Sequence, residues 1–411
     1  MTATALQQEE HLPEAIVCKW CGKSFHYLKS HISMGRCENI PESAKGLDVD
    51  EVVKMYTSAF PDEPTISRTA LAKLNEKRAE KHSGEGKVAE ISAHPGYAGT
   101  VEYKTELVAA HELLGVTIKE LGTPRGKPLQ VTVNVNTLYP EFVPEAKKNY
   151  VYGDFDLIKD IFMMLEIGIP GYLWGHAGTG KSSLPTQLCA LLNRPLIRAQ
   201  HTASMEEAHV TGQILARDGS TYFEPGLLAL AMKNGWVYLA DEYDFAFPQI
   251  LGVYQPVLEG EPLIIKEATP DWRRITPHKR FAFIGTGNTN GSGDETGLYQ
   301  GTNIQNAANF SRFGIVSNVK YMSTKAEVNM LAEAGVIREY AEKMVKFANL
   351  VREGYEQHLI SQPIGPRELL LSAKIGMMRG DFSAGIEKSF INKLPSTSAQ
   401  AAREVVQKIF G

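Results

Sequence analysis

The stretch Gly171–Ser183, GYLWGHAGTGKSS, constrains this chain more than any other. From Gly175 to Ser182 it spells G-x-x-x-x-G-K-S, a loop that cradles phosphates. Gly175, Gly178 and Gly180 let the backbone bend tightly, so that successive N–H groups turn inward toward phosphate oxygens. The helix expected from Ser183 adds the positive end of its dipole. Lys181 brings a point charge to the β- and γ-phosphates, and Ser182 a hydroxyl to Mg²⁺. Tyr172, Leu173 and Trp174 suit the buried strand that such a loop follows. Pro185 falls near the first turn of the next helix, where a missing N–H costs little. A chance glycine-rich turn is the bland alternative, and strand, loop and helix in this order argue against it. Gly175, His176, Ala177, Gly178, Thr179, Gly180, Lys181, Ser182 and Ser183 are therefore the expected ATP-binding residues.

Some sixty residues later comes WVYLADEYD, Trp236–Asp244. A short apolar strand ending in two carboxylates supplies what phosphoryl chemistry needs. Asp241 is expected to hold Mg²⁺ with Ser182, and Glu242 to orient and polarise the attacking water. Asp244 is read as structural, or as support behind the first two. A further apolar run, FAFIGTGNTN (Phe281–Asn290), ends in polar residues. Asn288 is placed to contact the γ-phosphate and the water, with Thr286 as the weaker choice.

Near the N-terminus, CKWCGKSFHYLKSHISMGRC spaces Cys18, Cys21, His31 and Cys37 as C-x2-C-x9-H-x5-C. Such a set closes one tetrahedral zinc site, two ligands from a knuckle and two from a short helix. His26 is the rival fourth ligand but follows Cys21 too soon. Gly22 suits the turn after the knuckle, and Phe25 and Leu28 a small core. Lys19, Lys23, Lys29 and Arg36 allow nucleic-acid contact, though they serve equally as the solvated face of a protein-docking finger, which is the preferred reading.

The whole chain has 411 residues and a net charge of −4, which gives no global reason to expect nucleic acid. Its only cysteine outside the cluster is Cys189. So few cysteines point to a reducing, cytoplasmic compartment. The N-terminus lacks the basic and apolar regions of a secretory signal. No apolar run is long enough to span a membrane.

The fold class expected is α/β: a parallel sheet between helices with inserted β-hairpins, a C-terminal helical lid and a small N-terminal zinc-finger module. The expected divisions are 1–45 for the finger, 46–135 for a linker and accessory region, 136–322 for the α/β core and 323–411 for the lid and C-terminal helix. Residues 1–15 are expected to be loosely attached. Ile66–Lys87 reads as a polar helix fading into a linker, Glu106–Leu114 as a helix and Leu129–Val135 as a strand. Helical spacing continues at Tyr152–Met164, with Phe155, Ile158, Ile161 and Phe162 on one side. Asn193–Ala199 reads as the second core strand. Asp218-Gly219 marks a hairpin between Gln213–Ala216 and Thr221–Phe223. Pro248 opens a helix through Leu258, and Glu261–Lys266 with Arg273–Thr276 makes a second excursion. Later helices are expected at Thr324–Ala334, Ile337–His358, Pro366–Met378 and Ala399–Phe410, the last with Ser398 as N-cap.

Residues 136–380 resemble the MoxR-type AAA+ ATPases, in the clade with an extra hairpin in the second helix, and within it the ATPase subunit of aerobic cobaltochelatase. The matching runs are GHAGTGKS, DEYD, GNTNGSGDETGLYQGT (Gly287–Thr302) and SRFGIV. The resemblance implies a hexameric ring, ATP and Mg²⁺, and a partner carrying a von Willebrand A domain that the ring remodels or activates. It implies that Arg312 reaches the neighbouring subunit's nucleotide, with Arg273 and Arg274 as rivals. It also implies that Arg367, at the start of a lid helix, faces the nucleotide. The finger, the connector and the SRFG context depart from the chelatase subunit and imply a different client.

Two readings of another class stand beside the ring motor. One is a nucleic-acid-associated ATPase targeted by the finger. The other is a small-molecule P-loop kinase, which leaves Asp241-Glu242, the Asn288 strand and the lid unexplained.

Overall fold

A computed structural model describes residues 13–33, 36–45, 47–61, 63–70, 101–217 and 219–411. The remainder of the expected linker helix beyond residue 70, the first twelve residues and Asp218 lie outside the described residues. The chain divides into two units, Met1–Ala89 and Glu90–Gly411.

In the small unit, β1 (Ile16–Val17) pairs antiparallel with β2 (Ser24–Phe25), and Gly22 makes the turn between them at φ +70°. Two helices follow, α1 (Leu28–Ser33) and α2 (Val49–Ala59). The Asp48 side chain caps α2 by accepting from the Val49 N–H. Phe25, Leu28, Ile32, Val52 and Tyr56 form the core. The expectation that one helix carries both His31 and Cys37 is corrected: α1 ends at Ser33, and Cys37 lies in the segment after it. Six positions along a helix turn roughly 240° past a full circle, so the two could not share a helix face.

The large unit begins with β3 (Thr105–Ala109) antiparallel to β4 (Gln130–Asn134). Glu106–Val108 are thus strand, and only Ala110–Leu114 is helical, which corrects the expected Glu106–Leu114 helix. A pairing partner twenty residues downstream overrides the local helical spacing. Next, α3 (Phe155–Ile167) is capped by the Asp154 carboxylate and buries Leu157, Ile158, Ile161 and Phe162.

The central sheet contains β5 (Gly171–Trp174), β6 (Leu196–Gln200), β9 (Val237–Asp241), β12 (Ala282–Gly287) and β13 (Ile315–Asn318). Helix α4 (Ser183–Leu191) joins β5 to β6. Helix α5 (Glu207–Thr211), the hairpin β7 (Gly212–Arg217) and β8 (Ser220–Pro225), and α6 (Leu227–Asn234) join β6 to β9. The order across the sheet is β13-β5-β12-β9-β6, every pair parallel. Successive side chains alternate between its two faces. Tyr172, Tyr238 and Phe283 enter one core with Tyr243, Tyr254 and Phe313, while Leu173, Leu239 and Ile284 enter the other with α3. The second excursion is the short pair β10 (Leu263–Ile264) and β11 (Arg274–Ile275). The expected Pro248–Leu258 helix is instead broken by a 3-10 turn at Gly252–Tyr254, between a glycine and Pro256.

After β12 comes α7 (Ala307–Phe310), then a helical C-terminal layer: α8 (Thr324–Glu333), α9 (Arg338–Glu356), α10 (Pro366–Arg379), α11 (Phe382–Ser389) and α12 (Ser396–Phe410). Their core contains Met344, Phe347, Leu369, Ile386 and Phe390. Ser398 is not the N-cap of α12; the helix starts three residues after Lys393, and the Ser398 hydroxyl accepts from the Ser361 N–H at 3.0 Å. Helix α11 has no counterpart in the sequence reading, although Asp381 caps it in the ordinary way. Among the described residues no helix is long and apolar enough to cross a membrane.

Candidate nucleotide site and a Cys/His cluster

All five strands point their C-terminal ends the same way, and the loop after β5 stands among them. Its backbone needs glycine: Gly175 lies at φ +147°, and a Cβ there would meet the Val319 carbonyl at 2.4 Å. Gly178 and Gly180 also lie at positive φ. Lys181 Nζ donates to the Gly175 and His176 carbonyls at 2.7 and 2.9 Å and to Asn288 Oδ1 at 3.1 Å. Burial lowers its amine to about 8, against the pull of Asp244, Asp241 and Glu242. The Ser182 hydroxyl donates to Asp241 Oδ1.

Asp241, at the end of β9, is 3% exposed. Its Oδ1 also accepts from Thr286 Oγ1, and its Oδ2 from Arg198 Nε at 2.6 Å. Burial pushes this carboxyl up, but the Ser182 and Thr286 hydroxyls and the Arg198 charge outweigh it and hold it below the ordinary value. Glu242 sits in left-handed backbone at φ +53°. Its N–H donates to Thr286 Oγ1 at 3.2 Å, and its Oε2 accepts from Gln200 Nε2 at 2.6 Å. Thr286 thus serves the acidic pair, while Asn288 reaches Lys181. Asp244 accepts from the N–H groups of Asn288 and Thr289 at 2.8 and 2.9 Å, which fixes the end of β12.

Arg367 is also brought to the loop: a Cβ on Gly178 would stand 3.4 Å from the Arg367 Cβ. Arg312 is held elsewhere. Its Nε donates to Glu259 Oε1 at 2.7 Å and its Nη1 to the Ala308 carbonyl. The rivals Arg273 and Arg274 bond the Ala268 carbonyl and Thr276.

Sequence reasoning missed Arg198, Gln200 and Tyr299. The first two sit two positions apart on one face of β6, opposite Leu239 and Asp241. Polar residues at that spacing in an otherwise apolar strand were the available signal. Tyr299 Oη lies 2.9 Å from His176 Nδ1 and accepts from the Ala177 N–H at 3.1 Å. Nothing in its polar loop singles it out. The His176 ring also stacks on Tyr321, with centroids 5.8 Å apart and planes at 2°.

In the small unit, one ligand atom each from Cys18, Cys21, His31 and Cys37 lies within 4.8 Å of all the others. Cys18 and Cys37 sulfurs stand 3.8 Å apart, and Cys21 Sγ lies 3.3 Å from His31 Nε2. A tetrahedral zinc thiolate site has S···S edges of about 3.8 Å, so the cluster fits such an ion. His26 is outside it, bonded to Ser67 Oγ at 3.0 Å.

The loop glycines and Lys181 fit a phosphate chain. The oxygen donors Ser182 and Asp241, already in contact, fit a hard divalent cation. Residues 172–302 match the AAA domain of the dynein-related subfamily. Aerobic cobaltochelatase subunit CobS of a Sinorhizobium species is 32% identical over 249 residues, covering 58% of this chain and 74% of that protein. The chain is an AAA ATPase. An uncharacterized protein of Staphylococcus aureus is 23% identical to this ATPase over 265 residues, 62% of this chain and 96% of that one. A solved Thermotoga maritima RuvB Holliday junction branch migration motor is similar at 13% identity and a TM-score of 0.36, covering 65% of this chain and 72% of that one.

Proposed function

We propose that this AAA ATPase is a ring motor of the MoxR and cobaltochelatase-ATPase type, which uses ATP and Mg²⁺ to remodel or activate a partner protein complex. The observation that carries the reading is the meeting of four groups at the sheet's C-terminal edge: Lys181 on Asn288, and Ser182 on Asp241. Lys181 holds the β- and γ-phosphates, and Ser182 and Asp241 hold Mg²⁺. The metal, when bound, spreads the negative charge that develops on the transferred phosphoryl group. Glu242 orients the attacking water, and Asn288 contacts that water and the γ-phosphate. Arg367 reaches the same phosphates from α10.

Arg312 acts on the neighbouring subunit's nucleotide in a hexamer. Its bonds within its own chain go to Glu259 and the Ala308 carbonyl and to none of the site residues, which supports that assignment, as does its partly exposed pairing with Glu259. The partner carries a von Willebrand A domain, as expected of this type of ATPase. The small unit binds one zinc ion and docks a protein. Lys19 and Lys23 support this choice over nucleic acid, because both are paired, with Glu63 and Glu38. Residues 13–70 carry seven basic and eight acidic side chains, no excess of positive charge for a phosphate backbone. Clustered rather than disulfide-bonded thiols support a reducing, cytoplasmic compartment.

The test is the native mass of Glu242→Gln protein with ATP and Mg²⁺. A six-subunit particle supports the ring. A monomer with bound nucleotide would replace the motor reading with that of a nucleotide switch.

A further inference from the structure

The carboxylate of Asp241 is fully engaged by this chain's own donors. Oδ1 accepts two hydroxyls, from Ser182 and Thr286. Oδ2 accepts Nε of Arg198 and pairs with its Nη2. A divalent cation held by Ser182 and Asp241, directly or through its water, needs oxygen lone pairs from this same set. It would bring two positive charges beside a guanidinium that never deprotonates in proteins. The conflict is relieved only by movement, and the two partners differ in freedom. The Asp241 side chain is 4% exposed and fixed at the end of a central strand, whereas the Arg198 side chain is 57% exposed on the edge strand.

We propose that Arg198 is a built-in competitor of Mg²⁺ for Asp241. It neutralises the buried carboxylate when no metal is bound and swings toward solvent when metal arrives with nucleotide. Arg198 is a positioning residue in this scheme, acting through Asp241. The device lowers the apparent affinity for metal–nucleotide by the cost of breaking the pair. It also spares the fold an unpaired buried charge. The proposal rests on the nucleotide-site reading above.

The experiment measures binding of fluorescent N-methylanthraniloyl-ADP to the full chain, with Mg²⁺ and with EDTA. The readout is the ratio of the two dissociation constants, which a merely structural loss would not change because both would weaken together. Binding by the unaltered chain comes first: absence of binding, or of any Mg²⁺ effect, defeats the site reading and this proposal with it. Given both, Arg198→Gln is expected to raise the Mg²⁺ enhancement about tenfold, within the usual range of site-to-site coupling, with the dissociation constant measured in Mg²⁺ itself falling; a rise that comes only from weaker binding in EDTA overturns the competitor role. Arg198→Lys keeps the charge but not the fork, and is expected to fall between. An enhancement that stays level or drops in Arg198→Gln overturns the competitor role. Should that variant not fold, an enhancement in Arg198→Lys at or below that of the unaltered chain overturns it equally.

Discussion

Gly178 of the phosphate loop and Arg367 at the start of α10 lie in van der Waals range. A methyl group on Gly178 would stand 3.4 Å from the Arg367 Cβ and 3.6 Å from its backbone nitrogen. Just before these two residues, a Cβ on Gly365 would lie 2.7 Å from the Ala177 carbonyl. The lid helix therefore begins against the loop, and its first arginine projects from that contact. Its charge is one of those that disfavour the protonated form of Lys181. Two cations that repel each other in this way are stable together when a polyanion lies between them. Arg367→Ala is expected to lower kcat for ATP about a hundredfold, the usual loss on removing one charge-stabilising donor. Steady-state hydrolysis with saturating nucleotide measures it, and a kcat within a factor of about two of the unaltered chain would remove Arg367 from the site.

Glu242 stands out by its backbone conformation. It is one of four non-glycine residues at positive φ among the described residues, and it follows the fully buried strand β9. Gln200 holds its carboxylate. Glu242→Gln keeps size and polarity but cannot act as a base. Hydrolysis is expected to fall by about 10²–10⁴, with nucleotide affinity retained and ATP recoverable intact from the protein. Undiminished turnover would transfer the base role to another residue.

The parts of this site that repeat a physical requirement were legible in the sequence. A phosphate loop needs glycine at fixed offsets, and a buried strand that ends in chemistry shows an apolar run before its carboxylates, as at Leu239-Ala240-Asp241-Glu242. The Cys/His cluster was legible for the same reason, since coordination spacing is short-range. What stayed hidden depends on which strand lies beside which. Arg198 and Gln200 matter only because β6 runs parallel to β9 with Gln200 opposite Asp241. Tyr299 matters only because its loop folds over His176. The strand at Thr105–Ala109 was misread for the same cause, a partner at Gln130–Asn134 that local periodicity does not encode.

Arg312 is expected to matter across a junction rather than within one chain. Arg312→Ala protein is expected to lose about a thousandfold in kcat, the lower range for a transition-state arginine supplied by a neighbour. Mixing it with Glu242→Gln protein, itself inactive, creates junctions where an intact Glu242 faces an intact Arg312. Activity recovered on mixing measures the trans role. Mixed particles that stay inactive would return Arg312 to its surface pair with Glu259.

The Cys/His cluster predicts a metal stoichiometry. The 411-residue chain prepared with zinc is expected to carry one equivalent, lost on Cys18→Ala, because the buried Cys18 sulfur belongs both to the cluster and to the small unit's core. Burial and the neighbouring thiols raise the Cys37 pKa, so binding is expected to release protons as metal replaces them. Elemental analysis checks the stoichiometry, and a pH-indicator reading of the protons released on adding zinc to the chelated protein checks the second. Hydrogen exchange is expected to show protection lost in residues 16–60 on chelation, since a core this small depends on its metal. Metal-replete protein with no zinc would refute the assignment.

His278 predicts how the large unit responds to acid. It is 1% exposed, with Nε2 donating to the Val101 carbonyl at 2.7 Å and Nδ1 accepting from the Arg280 N–H at 3.0 Å. Both nitrogens are satisfied only in the neutral ring, because protonating Nδ1 sets two donors against each other. Burial, first, and the charges of Lys279, Arg280 and Arg194 then lower its pKa, while the Val101 carbonyl opposes them. The folded pKa is therefore below the unfolded value of about 6.5. Stability from the neutral ring is fully present above that pH and declines as pH falls through it toward the folded pKa, because the unfolded chain binds the extra proton. The expected slope from this one group is at most about 1.4 kcal/mol per pH unit. Urea unfolding of the full chain between pH 7.5 and 5.5 measures the total slope, and His278→Gln, which does not titrate, is expected to reduce it. An unchanged slope in that variant would assign the acid sensitivity to other buried groups, His201 first, whose pKa burial lowers to about 4.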